Sequence, residues 1–325
     1  MVAPGSNLVT LVELVDRLPL ATVPAGRGRP RLYSDRLFLK ALVIMIVKRL
    51  PTVPLLVAVL DQPTVAMQQL RELLGEQGRY PSRRTFERRL AAIPETLPAQ
   101  IACVGQALLA VLQPWETCGQ AAAIDSTVLR ANGGVWHKKD REANIVPHSS
   151  IDTEAHWTKS GWHGWVYGWK LHLVTTVAAV WLPLAAELTP ANAADNELAF
   201  DLLDTLVGEM RFLLGDTAYN DPELQEECEA RGITLVTTKR GAYPHTDDGV
   251  EVRRIFHRLR SHAIENFNGQ FKRIFDANQP VPTRGLLATR RFALGAVLVY
   301  QLTVWSRFEA GDDLRVGLTP FIKAA

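Results

Sequence analysis

The sequence predicts a mixed α/β sheet flanked by helices, preceded by an all-helical region. Three observations lead there. Up to about residue 114, apolar residues recur at helical spacing between Ser, Thr and Pro start signals; from Ala121 onward, short apolar runs alternate with amphipathic stretches. Hydrophobic residues at 47% and charged residues at 22% match an ordinary folded protein, and 325 residues suffice for one large domain or two of usual size. The change of pattern predicts two: a helical domain over 1–114 and a sheet domain over 115–310, with 311–325 as a C-terminal tail.

In the first region, Ser34 can cap a helix through SDRLFLKALVIMIVKRL, and Pro63 and Thr64 can open TVAMQQLRELLG. After the turn GEQGRYP, Ser82 can cap SRRTFERRLAAI. The last two form a helix, a short Gly-containing turn, and a second helix dense in Arg83, Arg84, Arg88 and Arg89. That is the outline of a helix-turn-helix, whose second helix enters a major groove; a helical bundle with a basic solvated face fits the stretch equally well. GRGRPR at 26–31 reads as a basic connector suited to phosphates.

In the second region, AAAIDSTVL is a short strand, and YGWKLHLVTTVAAVWLPLAAELTP (167–190) reads as two strands joined near Val180. NELAFDLLDTLV is an amphipathic helix capped by Asp195 or Asn196. FLLGDTAY is a strand; Asp221 caps PELQEECEARG, a helix opened by Pro222 and closed by Gly232; ITLVTTK is another strand. A long helix from about 254 to 275 follows. The intervening segment 131–168 carries Trp136, Trp157, Trp162 and Trp165 with His137, His148, His156 and His163. Its spacings match no zinc pattern, and a mobile or partner-bound loop is expected there.

Several classes are excluded or disfavoured. The longest apolar run, Phe292 to Trp305, is interrupted by Gln301 and falls short of the roughly 20 residues of a membrane helix, so it predicts a buried helix and no membrane partner. The N-terminus lacks the basic start and apolar centre of a secretion signal, which makes the cytoplasm the expected compartment. Cys103, Cys118 and Cys228 supply neither a disulfide framework nor a Cys-x-x-Cys site. Residues 1–114 hold 14 Lys and Arg against 8 Asp and Glu, although the whole chain carries only +2. The basic excess lies in front, where nucleic-acid contact is favoured electrostatically.

Two strands run into a carboxylate: Asp125 after AAAI and Asp216 after FLLG. Side chains at strand carboxyl ends lie on the rim where α/β sheets bind ligands. The helix RIFHRLRSHAIENFNGQFKRIF supplies a third acid. At about 100° per residue, Phe256, Leu259, Ala263, Phe267, Gln270, Phe271 and Ile274 share one side, and Glu265 lies opposite. Arg258, Ser261, His262, Asn268, Gly269 and Lys272 surround it. Two strand aspartates and a helical glutamate offer hard oxygen ligands to divalent cations, and a pair of such ions can activate an attacking oxygen and stabilise a leaving one in phosphodiester displacement. Neighbouring cations can hold the polyanion, and His262 can orient a water or touch a phosphate.

At AID (123–125), GDTAYN (215–220) and IENFNGQFK (264–272) the chain resembles the DDE transposases of bacterial insertion sequences, from about Ala121 to Phe308. The resemblance implies a ribonuclease H-like catalytic domain preceded by a helical DNA-binding domain. It also implies a catalytic, metal-binding triad of Asp125, Asp216 and Glu265, and magnesium or manganese as cofactor, with two ions. The implied reaction is hydrolysis at transposon ends followed by attack of the freed 3′-hydroxyl on target DNA. Partners would be double-stranded DNA, terminal inverted repeats and target, with a homodimer on the paired ends, bound to the nucleoid. Of the family's Tyr-Arg-Glu-Lys signature, the Glu-to-Lys spacing is kept by Glu265 and Lys272. Arg258 occupies the tyrosine position and Ser261 the arginine position, with Arg260 one place earlier. DNA contacts are therefore expected from Arg258, Arg260 and Lys272, together with Arg83, Arg84 and Arg88. A DNA-binding protein with a vestigial catalytic domain and a metal-dependent nuclease on the same fold remain alternatives.

Overall fold

A computed structural model describes residues 6–22, 31–113, 120–161, 164–206, 210–237, 247–315 and 317–323. The basic connector apart from Arg31, the expected 114/115 boundary, Cys118, Trp162 and His163 lie outside the described residues.

Six helices come first: α1 (Ser6–Leu14), α2 (Asp35–Val47), α3 (Val53–Leu60), α4 (Val65–Leu73), α5 (Arg83–Ala92) and α6 (Leu97–Leu112). The expected caps form. The backbone N–H of Leu37 donates to the Ser34 side chain, that of Met67 to Thr64 and that of Thr85 to Ser82. Each supplies an acceptor to a helix-start donor that has none within the helix. The α4–α5 connection occupies 74–82, longer than the roughly three- to four-residue turn of a helix-turn-helix.

The sheet follows: β1 (Ala121–Arg130), a short helix α7 (Lys138–Glu142), β2 (His156–Ser160), β3 (Gly164–Thr176), β4 (Pro183–Pro190), α8 (Asp195–Thr205), β5 (Phe212–Gly215), α9 (Pro222–Ala230) and β6 (Thr234–Thr237). Strand β3 runs antiparallel to β1, β2 and β4, whereas β1, β5 and β6 are parallel neighbours. The turn joining β3 to β4 covers 177–182, as the paired runs predicted, and helices α8 and α9 supply the crossovers that parallel pairing requires. An antiparallel meander extended by two parallel strands is the ribonuclease H-like arrangement expected. Asp221 caps α9 by accepting from Glu223 and Leu224, and Gly232 closes it at φ +71. Helix α8 departs from expectation: its N-cap is Ala194, with no side-chain cap, and Asp195 is its first residue.

The chain ends with α10 (Asp247–Arg260), a π turn (Ser261–Glu265), α11 (Asn266–Ile274), α12 (Leu286–Glu309) and α13 (Thr319–Lys323). Helix α12 is buried from Phe292 to Val304, as the long apolar run predicted, and no single helix among the described residues is long and apolar enough to cross a membrane. It packs on β4 and α6 and also meets α1, α2 and α5, so one apolar core runs through helical layer and sheet. Gln301 interrupts that run because its amide donates to the carbonyls of Ile101 and Pro183, both at 2.8 Å, and ties α12 to α6 and β4.

Segment 131–168 is not a loose loop. Trp136 is buried and donates to the Ile145 carbonyl at 2.7 Å; Trp157 donates to the Trp136 carbonyl at 2.8 Å and packs on Tyr167. The Tyr167 hydroxyl donates to the carbonyl of Asp152, whose carboxylate accepts from the Gly285 backbone at the start of α12. Trp165 is 67% exposed, but Trp136 and Trp157 join Tyr167 at the margin of the main core. Distant in sequence, they gave no periodic signal.

Candidate catalytic site

Asp216 lies where β5 ends, as expected. Its carboxylate accepts the Ala218 N–H at 2.8 Å and so caps the single 3-10 turn Thr217–Tyr219. Asp125 is not at a strand end: β1 continues to Arg130, paired with β3 from Ala122↔Thr176 to Arg130↔Gly168. Its parallel neighbour is what ends. Pairing of β1 with β5 stops at Ala123↔Leu214, which leaves Asp125 on a local rim beyond the carboxyl end of β5. The run AAAIDSTVL carried the strand to Leu129, close to its observed end, but the acid after AAAI was read as a terminus that β1 does not have.

Burial is the main force on Asp125, 24% of whose side chain reaches solvent. It pushes the carboxyl up to about 6, against the hydrogen bond from the Ser126 backbone and the Arg260 charge; the carboxylates of Asp216 and Asp195 push it further in the same direction. An anion crowded by two others favours an added cation.

Glu265 arrives by an unexpected route. The helix expected to run unbroken over 254–275 contains the π turn, whose wider hydrogen-bonded ring shifts residues before it relative to those after. Leu259, expected on the core side, is 44% exposed, whereas Phe256 one turn earlier is buried as expected. Arg260 and Glu265, five residues apart, are brought to one side. The Arg260 guanidinium is 12% exposed and lies 3.8 Å from the Asp125 carboxylate and 3.9 Å from that of Glu265. Arg258 is exposed on the stretch before the turn, and Ser261 begins the turn. The residue one place early in sequence is thus the one facing the acids.

Lys272 is half-buried, and burial lowers its pKa while the nearby Asp125 carboxylate raises it and Arg130 lowers it further. Lys272 is thus within electrostatic reach of Asp125 on one side and of Arg130 on the other. His262 is elsewhere: its ring stacks edge-on against Trp181 at 5.5 Å, and the Asn266 amide donates to its backbone carbonyl at 2.7 Å. Arg83, Arg84 and Arg88 lie on α5 in the helical layer. Arg83 pairs with Glu87 at 2.8 Å, Arg84 and Arg88 are exposed, and Arg89 turns inward to Asp35 and over the Phe38 ring.

Sequence reasoning read Asp195 as a cap and passed over its partners. Lys170 Nζ lies 3.1 Å from both Asp195 oxygens, and Nδ1 of the fully buried His172 lies 3.4 Å from one of them. The signal was Lys170 and His172 two apart in an otherwise apolar strand, hence on one face. Burial drives the His172 imidazole down to about 4; Asp195 opposes the shift and Lys170 adds to it. A histidine kept neutral in the fold binds fewer protons than in the unfolded chain, so stability is complete above its ordinary 6.5 and is lost as pH falls toward 4. On acidification from pH 7 to 4.5, wild-type protein should lose more melting temperature than His172→Gln. Parallel curves would refute this.

Oxygen donors from Asp125, Asp216 and Glu265 suit a hard divalent cation, and the crowding of Asp125 points the same way. Among the described residues no three His, Cys, Asp or Glu side chains converge as a ready-made metal cluster, and Arg260 stands between Asp125 and Glu265. The described residues of 131–168 offer none either.

Residues 117–279 match a family described as "Transposase DDE domain". Among solved structures, the chain is similar to the piggyBac transposase synaptic complex with hairpin DNA, with 10% identity, TM-score 0.46, and coverage of 98% of this chain and 76% of that one. The Mos1 transposase paired-end complex with left transposon end gives 12% identity, TM-score 0.23, and coverage of 83% and 78%. A pre-cleavage Mos1 transpososome gives 10%, 0.22, and 90% and 83%. No curated protein matches the chain significantly.

Proposed function

Because the chain belongs to the transposase DDE domain family, an enzyme family that acts on DNA and generally uses a divalent metal, we propose that its chemistry is carried by Asp125, Asp216 and Glu265. The observation that supports this most is the single guanidinium of Arg260 between Asp125 and Glu265, which brings two of the family's three acidic positions to one cationic point. The cofactor in this reading is magnesium or manganese, as two ions held by the three carboxylates. When bound, such ions polarise a water and stabilise the leaving oxygen.

The chain's own groups do the rest. Lys272 and Arg260 hold phosphates of the transposon end beside Asp125, with Arg258 nearby on the exposed stretch of α10. Arg83, Arg84 and Arg88 hold flanking duplex through the helical domain, 1–114. A water oxygen attacks the phosphodiester at the transposon end and the 3′-oxygen leaves as a hydroxyl, which then attacks a target phosphodiester. No covalent protein intermediate is needed, so the Ser126 and Thr127 hydroxyls serve the fold. A homodimer holds the paired inverted repeats, and the reaction takes place at the nucleoid in the cytoplasm.

The full chain should nick DNA bearing the inverted repeats that flank its coding region, in magnesium or manganese, and should join a pre-cleaved end to target. Asp216→Ala and Glu265→Ala should bind the same DNA and nick it at least about 1,000-fold more slowly, the loss of roughly 4 kcal/mol of charge stabilisation. Nicking without joining would identify a nuclease, and binding without either would identify a vestigial domain. Retained cleavage in either variant would sink the triad.

A further inference from the structure

Tyr219 closes the turn that presents Asp216, and at 1% exposure it is among the most deeply buried large side chains. The neighbouring glycine fixes its position. A Cβ on Gly215 would come within 2.8 Å of the Tyr219 Cβ and 3.1 Å of its ring, so only glycine lets the phenol fold back beneath the end of β5.

Among the described residues no group hydrogen-bonds the Tyr219 hydroxyl. A buried hydroxyl without a partner lowers stability, whereas a phenylalanine of the same shape would fill the space without that cost. Packing therefore explains the ring and leaves the oxygen unexplained. The surroundings of that oxygen are not those of a core. The carboxylates of Asp125, Asp195 and Asp216 and the guanidinium of Arg260 all act on it. A phenol is protonated at neutral pH, so this hydroxyl is available as a donor. Asp195 is fixed on this side by Lys170, and Asp216 by the Ala218 N–H.

We propose that Tyr219 is a positioning residue whose hydroxyl donates to the oxygen ligand that enters among Asp125, Asp195 and Asp216 during DNA cleavage. The ligand is either a water or a phosphate oxygen of the bound DNA, the two sharing the same acceptor chemistry. This rests on the transposase reading above. It assigns the oxygen of Tyr219, not only its ring, to the site.

Tyr219→Phe removes that oxygen and little else. In chelator the full-length variant should melt at or above the wild-type temperature and bind terminal DNA equally well. In single-turnover cleavage of pre-bound DNA it should be about 10- to 100-fold slower, the usual scale for groups that orient ligands of a metal site. Manganese without DNA locates the acceptor: a smaller manganese-induced rise in melting temperature than in wild type identifies a water, and an equal rise with slow cleavage identifies a phosphate oxygen. Wild-type cleavage by Tyr219→Phe, where Asp216→Ala is inactive, would overturn this assignment and leave the function standing. A drop in melting temperature in chelator would also overturn it, by showing that the hydroxyl holds the fold. Cleavage by Asp216→Ala would instead overturn the catalytic reading.

Discussion

Asp125→Asn should melt at a higher temperature than the wild-type protein in chelator at pH 7.5 and should cleave DNA at least about 1,000-fold more slowly. Both effects come from one carboxylate. Its folded pKa lies near 6, above the ordinary 3.8, so folding takes up a proton between those values and stability falls as pH rises through that window. Above pH 6 the full penalty of a charged, crowded Asp125 is present, at most about 3 kcal/mol for a shift of this size. Asparagine keeps the shape and removes the charge. The gain should shrink as pH falls and vanish below about 4, where both proteins carry a neutral group. Manganese should reverse the order, raising the wild-type melting temperature more than that of the variant. A variant no more stable than wild type at pH 7.5 in chelator would show that Asp125 is not crowded as described.

Gly168→Ala should be the most damaging single-methyl change in the sheet. Gly168 pairs with His156 of β2 and with Arg130 of β1, at the point where β3 passes from one partner to the other. A Cβ there would lie 2.0 Å from the Leu129 carbonyl oxygen and 3.0 Å from the Ala131 nitrogen. These are backbone atoms locked in the β1–β3 ladder, so neither can rotate away. The cost is expected to be about 3 kcal/mol or more, at the upper end of overpacking, or a fall in Tm on the order of 5–10 °C. Gly269→Ala is the control. It lies on α11 with nothing within 4 Å of the added carbon, and helix propensity favours alanine there by up to about 1 kcal/mol. Equal melting temperatures for Gly168→Ala and wild type would mean that β1 and β3 do not approach as closely as described.

Features written in consecutive residues were legible in the sequence. Ser34, Thr64, Ser82 and Asp221 act as caps because a cap and its helix start are neighbours in the chain. Asp216 was legible because an acid directly after FLLG, with turn residues following at once, marks the end of a strand. The pairing of Lys170 and His172 with Asp195 was not, since it joins a strand to a helix start more than 20 residues away and reads locally as capping. Nor was the packing of Trp136, Trp157 and Tyr167, whose members reach one another only through folding. The extent of β1 was legible in AAAIDSTVL, but Asp125 was misplaced at its end because the acid directly follows the apolar run AAAI. The approach of Arg260 to Glu265, five residues on, was missed because a constant 100° per residue cannot register a π turn.

That turn has a consequence for how relatives are searched. One π turn absorbs a one-residue insertion without breaking the helix, so a signature written as fixed spacings scores this chain as lacking its arginine while the guanidinium sits against the acids. Deleting one residue between Arg260 and Glu265 would restore the spacing on paper. Motif spacing alone therefore understates what the π turn brings together, since Arg260 faces the acids although it stands one place early in the chain.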